Sequence, residues 1–304
     1  AAGADEPESV SRIGYLGANS PAAYANWLRA FRQRLKELGR SHLIEERWAD
    51  GKIDRLPALM KELVASGVDV IVTTGTPGAM AAKNGTNTIP IVAVGMADPV
   101  RMGLIQSLSH PGGNLTGISM GYDPEFTGKW LEMLQETVPR LASLAVIANP
   151  QSAVLRLLLT DLEALAPRRN VRVHFLPVTQ SASLDDAFKQ AKRRAQAVLL
   201  LGDPVTMSNR SKIASLAIAN RLPVMYNVGV FVEDGGLMSY APDWESQAQR
   251  AAEYVDKILR GAAPGELPVE QPTKYQLTLN LKAAKSIGLR FPELMLLRAD
   301  RVVH

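Results

Sequence analysis

Short apolar runs and amphipathic segments alternate along almost the whole chain. The apolar runs have the length of buried strands and lie at residues 12–16, 68–73, 91–94, 144–148 and 197–201. Between these runs, segments such as 22–38 and 184–195 carry apolar residues at helical spacing, and glycine or a polar turn usually ends each segment. Strands that alternate with helices in this way predict a parallel α/β architecture.

The alternating pattern starts again in the middle of the chain, which suggests a second sheet. A first set of about five strands ends with the strand at Leu115, and a new helix and strand follow at 125–136 and 144–148. Beyond Gly236 the chain forms a strand, then a helix at 243–259, then another strand at 275–279. Two successive sheets with a returning tail predict two lobes that are joined by several crossings.

A short amphipathic helix is also predicted after the strand at Ile91. Asp98-Pro99 has the form of a helix start, and the segment ends in the turn Pro111-Gly112-Gly113-Asn114. The unit reads as strand, loop, helix and strand. In such a unit the ligand groups gather at the carboxyl ends of the strands.

Composition narrows the class of protein without naming a function. The 304 residues suit two domains, and 46% hydrophobic with 21% charged residues is the usual balance of a globular chain. The net charge of +4 comes from dispersed bases without a nucleic-acid motif, so no nucleic acid is expected as a partner. Because the chain has no cysteine, disulfides, thiolate metal sites and cysteine nucleophiles are excluded. No apolar run approaches the roughly 20 residues that span a membrane.

The first nine residues are small, polar and unpatterned, so we expect a disordered tail at 1–9. Small residues occur at the cleavage sites of signal peptides, which makes a secreted chain with its signal peptide removed a reasonable expectation. A lipid anchor stays open at this point.

Polar or glycine-containing loops follow five of the predicted strands and precede helices. The first amides of a helix lack internal partners and accept an anion readily. Thr74-Gly75-Thr76 is the best candidate for a carboxylate cradle, because two hydroxyls flank a glycine that lets the backbone approach. Ordinary capping, with Thr76 as the N-cap and Pro77 as the first helical residue, explains the same residues equally well.

Other strand-end residues have a similar double interpretation. Asp98 and Asp203 each precede proline and read as helix N-caps, but either carboxylate also suits a ligand ammonium. Asn149 either closes its own turn or binds an amino-acid head group. Aromatic residues near these loops are individually more typical of core than of a ligand-stacking surface, and Trp27 shares a helical stripe with Phe31.

The sequence gives little support to an enzyme. Its four histidines are scattered, and neither a GxSxG elbow nor a GxxxxGK[ST] phosphate loop occurs. No metal or cofactor is expected.

Several long blocks resemble the substrate-binding proteins of bacterial ABC transporters that are related to tryptophan and tyrosine uptake receptors. The clearest blocks are VDVIVTTGTPGAMAAK at 68–83, DPVRMGLIQSLSHPGGNLTGIS at 98–119, the stretch at 235–289 and RADRVV at 298–303. The resemblance extends from Arg12 to about Val303. It is weakest at 149–160, so it leaves the identity of the ligand less defined than the fold.

The resemblance implies a type I periplasmic-binding-protein architecture of two Rossmann-like lobes with parallel sheets and three hinge crossings. We expect one lobe at 10–118 plus 239–270 and the other at 119–238 plus 271–304. It also implies a periplasmic, monomeric receptor that binds a small molecule in the inter-lobe cleft and works with an ABC permease and its ATPase. The ligand would be an aromatic amino acid or a related aromatic carboxylate.

These arguments together give a set of candidate ligand contacts at the strand ends. They are Asn19, Ser20, Thr74, Gly75, Thr76, Met96, Asp98 and Ser119 in the first lobe, and Asn149, Asp203, Tyr226 and Asn227 in the second. Two other functions remain open from the sequence: the effector-binding half of a transcription regulator, and a small-molecule-modifying α/β enzyme.

Overall fold

The computed structural model describes residues 10–39, 41–122 and 124–304. The tail expected at 1–9 lies outside the described residues. Twelve strands are described: β1 Ser11–Gly17, β2 His42–Trp48, β3 Val70–Thr74, β4 Ile91–Met96, β5 Leu115–Ser119, β6 Ser143–Ala148, β7 Arg172–Pro177, β8 Ala197–Leu200, β9 Val224–Tyr226, β10 Met238–Pro242, β11 Tyr275–Asn280 and β12 Arg301–Val303.

Twelve α-helices are described between and around these strands. They are α1 Ala25–Glu37, α2 Leu56–Ala65, α3 Gly75–Gly85, α4 Pro124–Thr137, α5 Ala153–Leu165, α6 Leu184–Arg194, α7 Pro204–Ser208, α8 Arg210–Ala219, α9 Val230–Glu233, α10 Trp244–Leu259, α11 Leu281–Ile287 and α12 Glu293–Arg298. Among the described helices, none is long and apolar enough to cross a membrane.

The chain divides into two compact units. Unit 1 contains the described residues up to Met120 together with Trp244–Pro272, and unit 2 contains Gly121–Asp243 and Thr273–His304. The chain therefore passes from one unit to the other three times. The boundary expected at 238/239 falls inside β10, which pairs with β9 and β11 of unit 2, so residues 239–243 belong with that unit.

Unit 1 is built on a five-stranded parallel sheet in the order β2-β1-β3-β4-β5, as the strand count from the sequence predicts. Strands β3, β4 and β5 are buried along their whole length, which requires a cover on both faces of this part of the sheet. Helices α2 and α3 pack on the face that carries Leu16 and Ile71. Helices α1 and α10 pack on the face that carries Tyr15 and Val72.

Helix α1 follows directly from its sequence pattern. Trp27, Leu28, Phe31 and Leu35 are buried and fall on one side of a 3.6-residue repeat, while the arginines between them face solvent. The chain leaves the helix at Gly39, whose φ of +77° is in the left-handed region.

Unit 2 has a seven-stranded sheet in the order β12-β11-β10-β9-β8-β6-β7. Its pairs are parallel except for β10 with β11, which run antiparallel because the returning tail enters the sheet from the opposite end. The strands β6, β8 and β9 are adjacent to one another, and their side chains are almost entirely buried.

One helix prediction was wrong. Residues 99–103 form consecutive turns rather than an amphipathic helix, because Gly103, with a φ of +68° in the left-handed region, interrupts the segment soon after its start at Pro99.

Strand β5 depends on a glycine that no other residue can replace without movement of the backbone. Gly117 has a φ of +138°, and a Cβ at this position would lie 1.9 Å from the carbonyl oxygen of Ala93 on β4. We therefore expect Gly117→Ala to lower the free energy of unfolding by at least about 3 kcal/mol. Urea denaturation followed by tryptophan fluorescence would measure this change.

Gly113→Ala is the matched control, since the nearest atom to its Cβ would be Lys83 Nζ at 3.9 Å. Its free energy of unfolding should stay within about 1 kcal/mol of the unsubstituted protein. Equal stability of the two variants would contradict the close approach of β4 and β5.

Candidate functional site

The candidate residues of unit 1 follow the carboxyl ends of β1, β3, β4 and β5, which are consecutive neighbours in the sheet. Parallel strands end at the same edge, so Asn19, Thr74, Thr76 and Ser119 share one edge of unit 1. All four are at least 95% buried. Ser20 is partly exposed, and its carbonyl accepts the N–H of Ala23 at 3.1 Å.

The Thr74-Gly75-Thr76 segment connects β3 to α3. Gly75 is the first residue of the helix and has a φ of +77°, so Thr74 rather than Thr76 takes the N-cap position. The prediction of Thr76 as N-cap was therefore wrong. Its hydroxyl accepts the N–H of Ala97 at 3.1 Å, and the Thr74 hydroxyl lies 3.0 Å from the Tyr15 hydroxyl.

The two threonine hydroxyls still have hydrogen-bonding capacity for a ligand. A hydroxyl can donate one hydrogen bond and accept others, and the contact with Ala97 uses Thr76 as an acceptor. The O–H of Thr76 is therefore able to donate to a carboxylate. The first amides of the eleven-residue helix α3 start at the same place and add partial positive charge.

Met96, Asp98 and Ser119 have other structural roles in unit 1. The Met96 side chain lies in the core between the sheet and helices α2 and α3. The Asp98 carboxylate accepts the N–H of Arg101 at 3.0 Å and lies 3.9 Å from its guanidinium, so its charge is compensated within a turn. The N–H of Ser119 donates to the carbonyl of Glu270 at 2.8 Å.

The candidate residues of unit 2 follow β6, β8 and β9, which are also neighbours in their sheet. Asp203 is the N-cap of α7, as predicted, and forms a capping box with Thr206. Its Oδ1 accepts the N–H of Thr206 at 2.8 Å, while the Thr206 hydroxyl accepts the N–H of Asp203 at 2.8 Å.

The second carboxylate oxygen of Asp203 has a different environment. Oδ2 is buried and makes no hydrogen bond with any described residue. Burial raises the pKa of Asp203, although the amide of Thr206 and the nearby side chain of Asn149 act in the opposite direction. One oxygen therefore holds the helix start, and the other remains able to accept a hydrogen bond.

Asn227 and Asn149 serve the local structure. The Asn227 side chain accepts the N–H of Gly202 at 2.6 Å and donates to the Tyr122 hydroxyl at 2.9 Å, so both ends of its amide are used. The Asn149 side chain accepts the N–H of Gln151 at 3.0 Å, which closes its own turn as one interpretation of the sequence predicted.

Tyr226 is fully buried, and its ring stacks on Phe231 at a centroid distance of 4.9 Å. Its hydroxyl has no hydrogen-bond partner within the described part of the chain, and burial raises its pKa. Ser239, its register partner on β10, is buried in the same way and also lacks a described partner for its hydroxyl. Sequence reasoning missed Ser239, although a serine inside the apolar strand MSYAP was a usable signal.

A cluster of aromatic rings borders the strand ends of unit 1, and we call it the aromatic rim. Tyr15 contacts Trp48 at 4.8 Å and Trp27 at 5.9 Å, and Tyr24 meets Trp244 edge-on at 6.1 Å between ring centroids. These five residues define the rim. Trp244 begins α10 and lies against Gly95 of β4, a placement that could not be predicted from local pattern alone.

Metal binding has no basis in the described side chains. In residues 10–39, 41–122 and 124–304, there is no group of three or more histidine, aspartate or glutamate residues that could hold a metal ion.

The buried oxygen of Asp203 gives a test that does not require the ligand. A folded-state pKa that is raised above the unfolded value means that this carboxyl stabilises the fold at low pH. That contribution is lost as the pH rises through the folded pKa. We therefore expect Asp203→Asn, which keeps an oxygen for the cap, to be more stable than the unsubstituted protein at pH 7.

The stability difference between Asp203→Asn and the unsubstituted protein should shrink as the pH falls toward 3. Urea denaturation at a series of pH values would measure it. Asp98→Asn is the matched control, because Asp98 is compensated by Arg101. A stability difference for Asp203→Asn that does not change with pH would contradict the assigned environment.

Comparisons with known proteins identify the family and the fold. The profile of the family described as ABC transporter substrate binding protein matches residues 20–303. A tyrosine-binding protein of Clostridioides difficile (strain R20291) is 25% identical over 233 residues, which cover 77% of this chain and 67% of that protein.

Two solved structures are similar over nearly the entire length. A conserved domain protein of Vibrio cholerae is 26% identical with a TM-score of 0.90, and covers 97% of this chain and 100% of its own. An ABC domain of Streptococcus pneumoniae in complex with L-Trp is 22% identical with a TM-score of 0.89 and the same coverage. The two-unit α/β fold is that of type I periplasmic binding proteins, and the family is non-enzymatic. The chain belongs to the ABC transporter substrate-binding protein family.

Proposed function

We propose that this protein captures an aromatic amino acid, or a related aromatic carboxylate, and delivers it to an ABC permease that is driven by an ATPase. The observation that carries the proposed ligand is the buried Oδ2 oxygen of Asp203, which has no hydrogen bond from any described residue. A buried carboxylate oxygen of this kind suits a ligand ammonium, because a charge-assisted hydrogen bond would compensate its burial.

The strand ends of unit 1 suit the other charge of an amino acid. The Thr76 hydroxyl can donate to a carboxylate, and the first amides of α3 add partial positive charge beside it. We propose that Thr74, Gly75 and Thr76 bind the ligand carboxylate and that Asp203 binds its ammonium. Whether the ligand lies in an inter-lobe cleft stays a prediction from the sequence.

The names of the relatives support an aromatic side chain on the ligand. One relative is named for tyrosine, and one similar structure contains L-Trp. Rings of the aromatic rim such as Tyr24, Trp48 and Trp244 are partly exposed, so unit 1 presents apolar, flat side chains near its strand ends.

The cellular part of the proposal follows from the family. A substrate-binding component acts outside the cytoplasm, so we propose a periplasmic location, a permease partner and a monomeric receptor. Genes for a permease and an ATPase beside this gene would support the transport role. Cell fractionation tests the location, and light scattering tests the monomer.

Two ligands that differ in the ammonium group allow the contacts of the ammonium and of the carboxylate to be tested separately. We expect Asp203→Asn to weaken the binding of L-tyrosine by about tenfold to a hundredfold, because a charged hydrogen bond is worth about 1.5–3 kcal/mol. The same variant should bind 4-hydroxyphenylacetate, which lacks the ammonium, with unchanged affinity. Isothermal titration calorimetry with both ligands provides the measurement.

Asp98→Asn serves as the control, because Asp98 is the other carboxylate that the sequence offers for an ammonium. If Asp98→Asn weakened tyrosine binding and Asp203→Asn did not, the two assignments would have to be exchanged. Failure of the unsubstituted protein to bind any aromatic amino acid or aromatic acid would reject the proposed ligand class.

The carboxylate contact has its own test. Thr76→Ala removes one hydroxyl donor, and we expect affinity for both L-tyrosine and 4-hydroxyphenylacetate to fall by about fivefold or more. Both ligands carry the carboxylate, so both should lose affinity to the same degree. A loss for tyrosine alone would place the carboxylate elsewhere.

A further inference from the structure

Four side chains at the strand ends of unit 1 contain hydrogen-bonding atoms that the protein does not use. They are Asn19, Trp27, Trp244 and Gln247, and we call them the polar quartet. The indole N–H groups of both tryptophans, both ends of the Gln247 amide and Oδ1 of Asn19 are buried and lack a partner among the described residues. Asn19, Trp27 and Gln247 are each at least 95% buried.

Contacts within unit 1 bring the polar quartet to one edge of the sheet. Helices α1 and α10 pack on the same face, and Trp27 and Trp244 lie in their first turns. Gln247 is three residues after Trp244, so the two side chains share one side of α10. Asn19 donates to the Tyr24 hydroxyl at 3.4 Å, and Tyr24 meets Trp244 edge-on at 6.1 Å.

A structural role alone does not account for these atoms. Buried polar groups in folded proteins are nearly always hydrogen-bonded, and an unpaired one destabilises the fold. Asn227 shows the usual outcome, since both ends of its amide are paired. The Gln247 amide is buried to a similar degree and has neither end paired to a described residue.

The kinds of unpaired atom limit the group that they can bind. The polar quartet offers three donor groups, two indole N–H and one amide NH₂, and two acceptors, Asn19 Oδ1 and Gln247 Oε1. A carboxylate would satisfy the donors but face the acceptors with negative charge. An ammonium would satisfy the acceptors but leave every donor unpaired. A hydroxyl both donates and accepts, so it matches both kinds of atom.

We infer that the polar quartet recognises a hydroxyl group on an aromatic ring of the ligand. This inference rests on the proposed function, because it concerns a subsite for the same ligand. The neighbouring rings of the aromatic rim supply apolar contact for the ring that carries the hydroxyl. Thr74, Gly75 and Thr76 remain assigned to the carboxylate, so the quartet determines specificity for the opposite end of the ligand.

Two ligand pairs that differ by one hydroxyl test the inference. They are L-tyrosine with L-phenylalanine, and 4-hydroxyphenylacetate with phenylacetate. We expect the unsubstituted protein to bind the hydroxylated member of each pair at least tenfold more tightly by isothermal titration calorimetry. A site built to hydrogen-bond a hydroxyl rejects the analogue that lacks it, because its own polar groups are left unpaired.

Gln247→Met removes both polar atoms and keeps an unbranched side chain of similar length. We expect its preference for the hydroxylated ligand to fall below about threefold. Gln249→Met is the matched control on the same helix, since Gln249 is exposed, and it should keep the full preference. Trp27→Phe, which removes one indole N–H, should lose part of the preference.

The thermal stability of the ligand-free protein separates recognition from a structural role. Gln247→Met should raise Tm, because it removes two buried atoms without a described partner. A lower Tm together with an undiminished preference for the hydroxylated ligand would identify Gln247 as a structural residue and overturn the inference.

Other outcomes distinguish this inference from the proposed function. Equal binding of both members of each pair by the unsubstituted protein would overturn the polar quartet as a hydroxyl subsite and leave the proposed function standing. Binding of no member of either pair would reject both the aromatic ligand class and the subsite.

Discussion

The parallel pairing of strands is the constraint on which the structure of both units depends. A parallel neighbour cannot be reached by a tight turn, so the chain must return through a helix after almost every strand. The carboxyl ends of the parallel strands therefore meet at one edge of the sheet, together with the first turns of the helices that follow these strands. In unit 1 this constraint places the loops after β1, β3, β4 and β5 side by side, although 102 residues separate Gly17 from Ser119.

The polar residues at these edges differ in how much of their hydrogen-bonding capacity the fold consumes. Asn227 uses both ends of its amide inside unit 2. Asp203 uses one carboxylate oxygen for its helix and keeps the other, and Gln247 uses neither end of its amide within the described residues. Side chains whose polar atoms are all paired maintain the fold. Side chains with unpaired buried atoms destabilise the fold unless a ligand pairs with them.

Much of the fold could be predicted from the sequence, because its strands are short, apolar and separated by clear helical repeats. The five strands of the first sheet and the N-cap at Asp203 are determined by local sequence patterns, so the sequence alone could predict them. The antiparallel direction of β11 depends on where the chain after residue 272 joins the sheet of unit 2. No local sequence pattern indicates that position. Asp98-Pro99 carries a genuine helix-start signal, but Gly103 follows too soon and only turns form.

The site was less predictable for a related reason. Its threonines and carboxylates follow strands and are visible as loop residues, whereas Gln247 is one polar residue inside a long amphipathic helix. Only the packing of α10 against α1 shows that Gln247 faces inward, since its neighbour Gln249 has the same chemistry and is exposed. The family resemblance supplied the architecture, but it did not distinguish these two glutamines.

The order of the chain through the two units has a consequence for biosynthesis. Helix α10 buries Ala248, Ala251 and Val255 against the sheet of unit 1, yet it is made after residues 121–243 of unit 2. A ribosome that has synthesised the first 120 residues has therefore produced a sheet with one incompletely covered face. Unit 1 cannot complete its core until about residue 272 has emerged, so its stable folding is postponed until that segment has been synthesised.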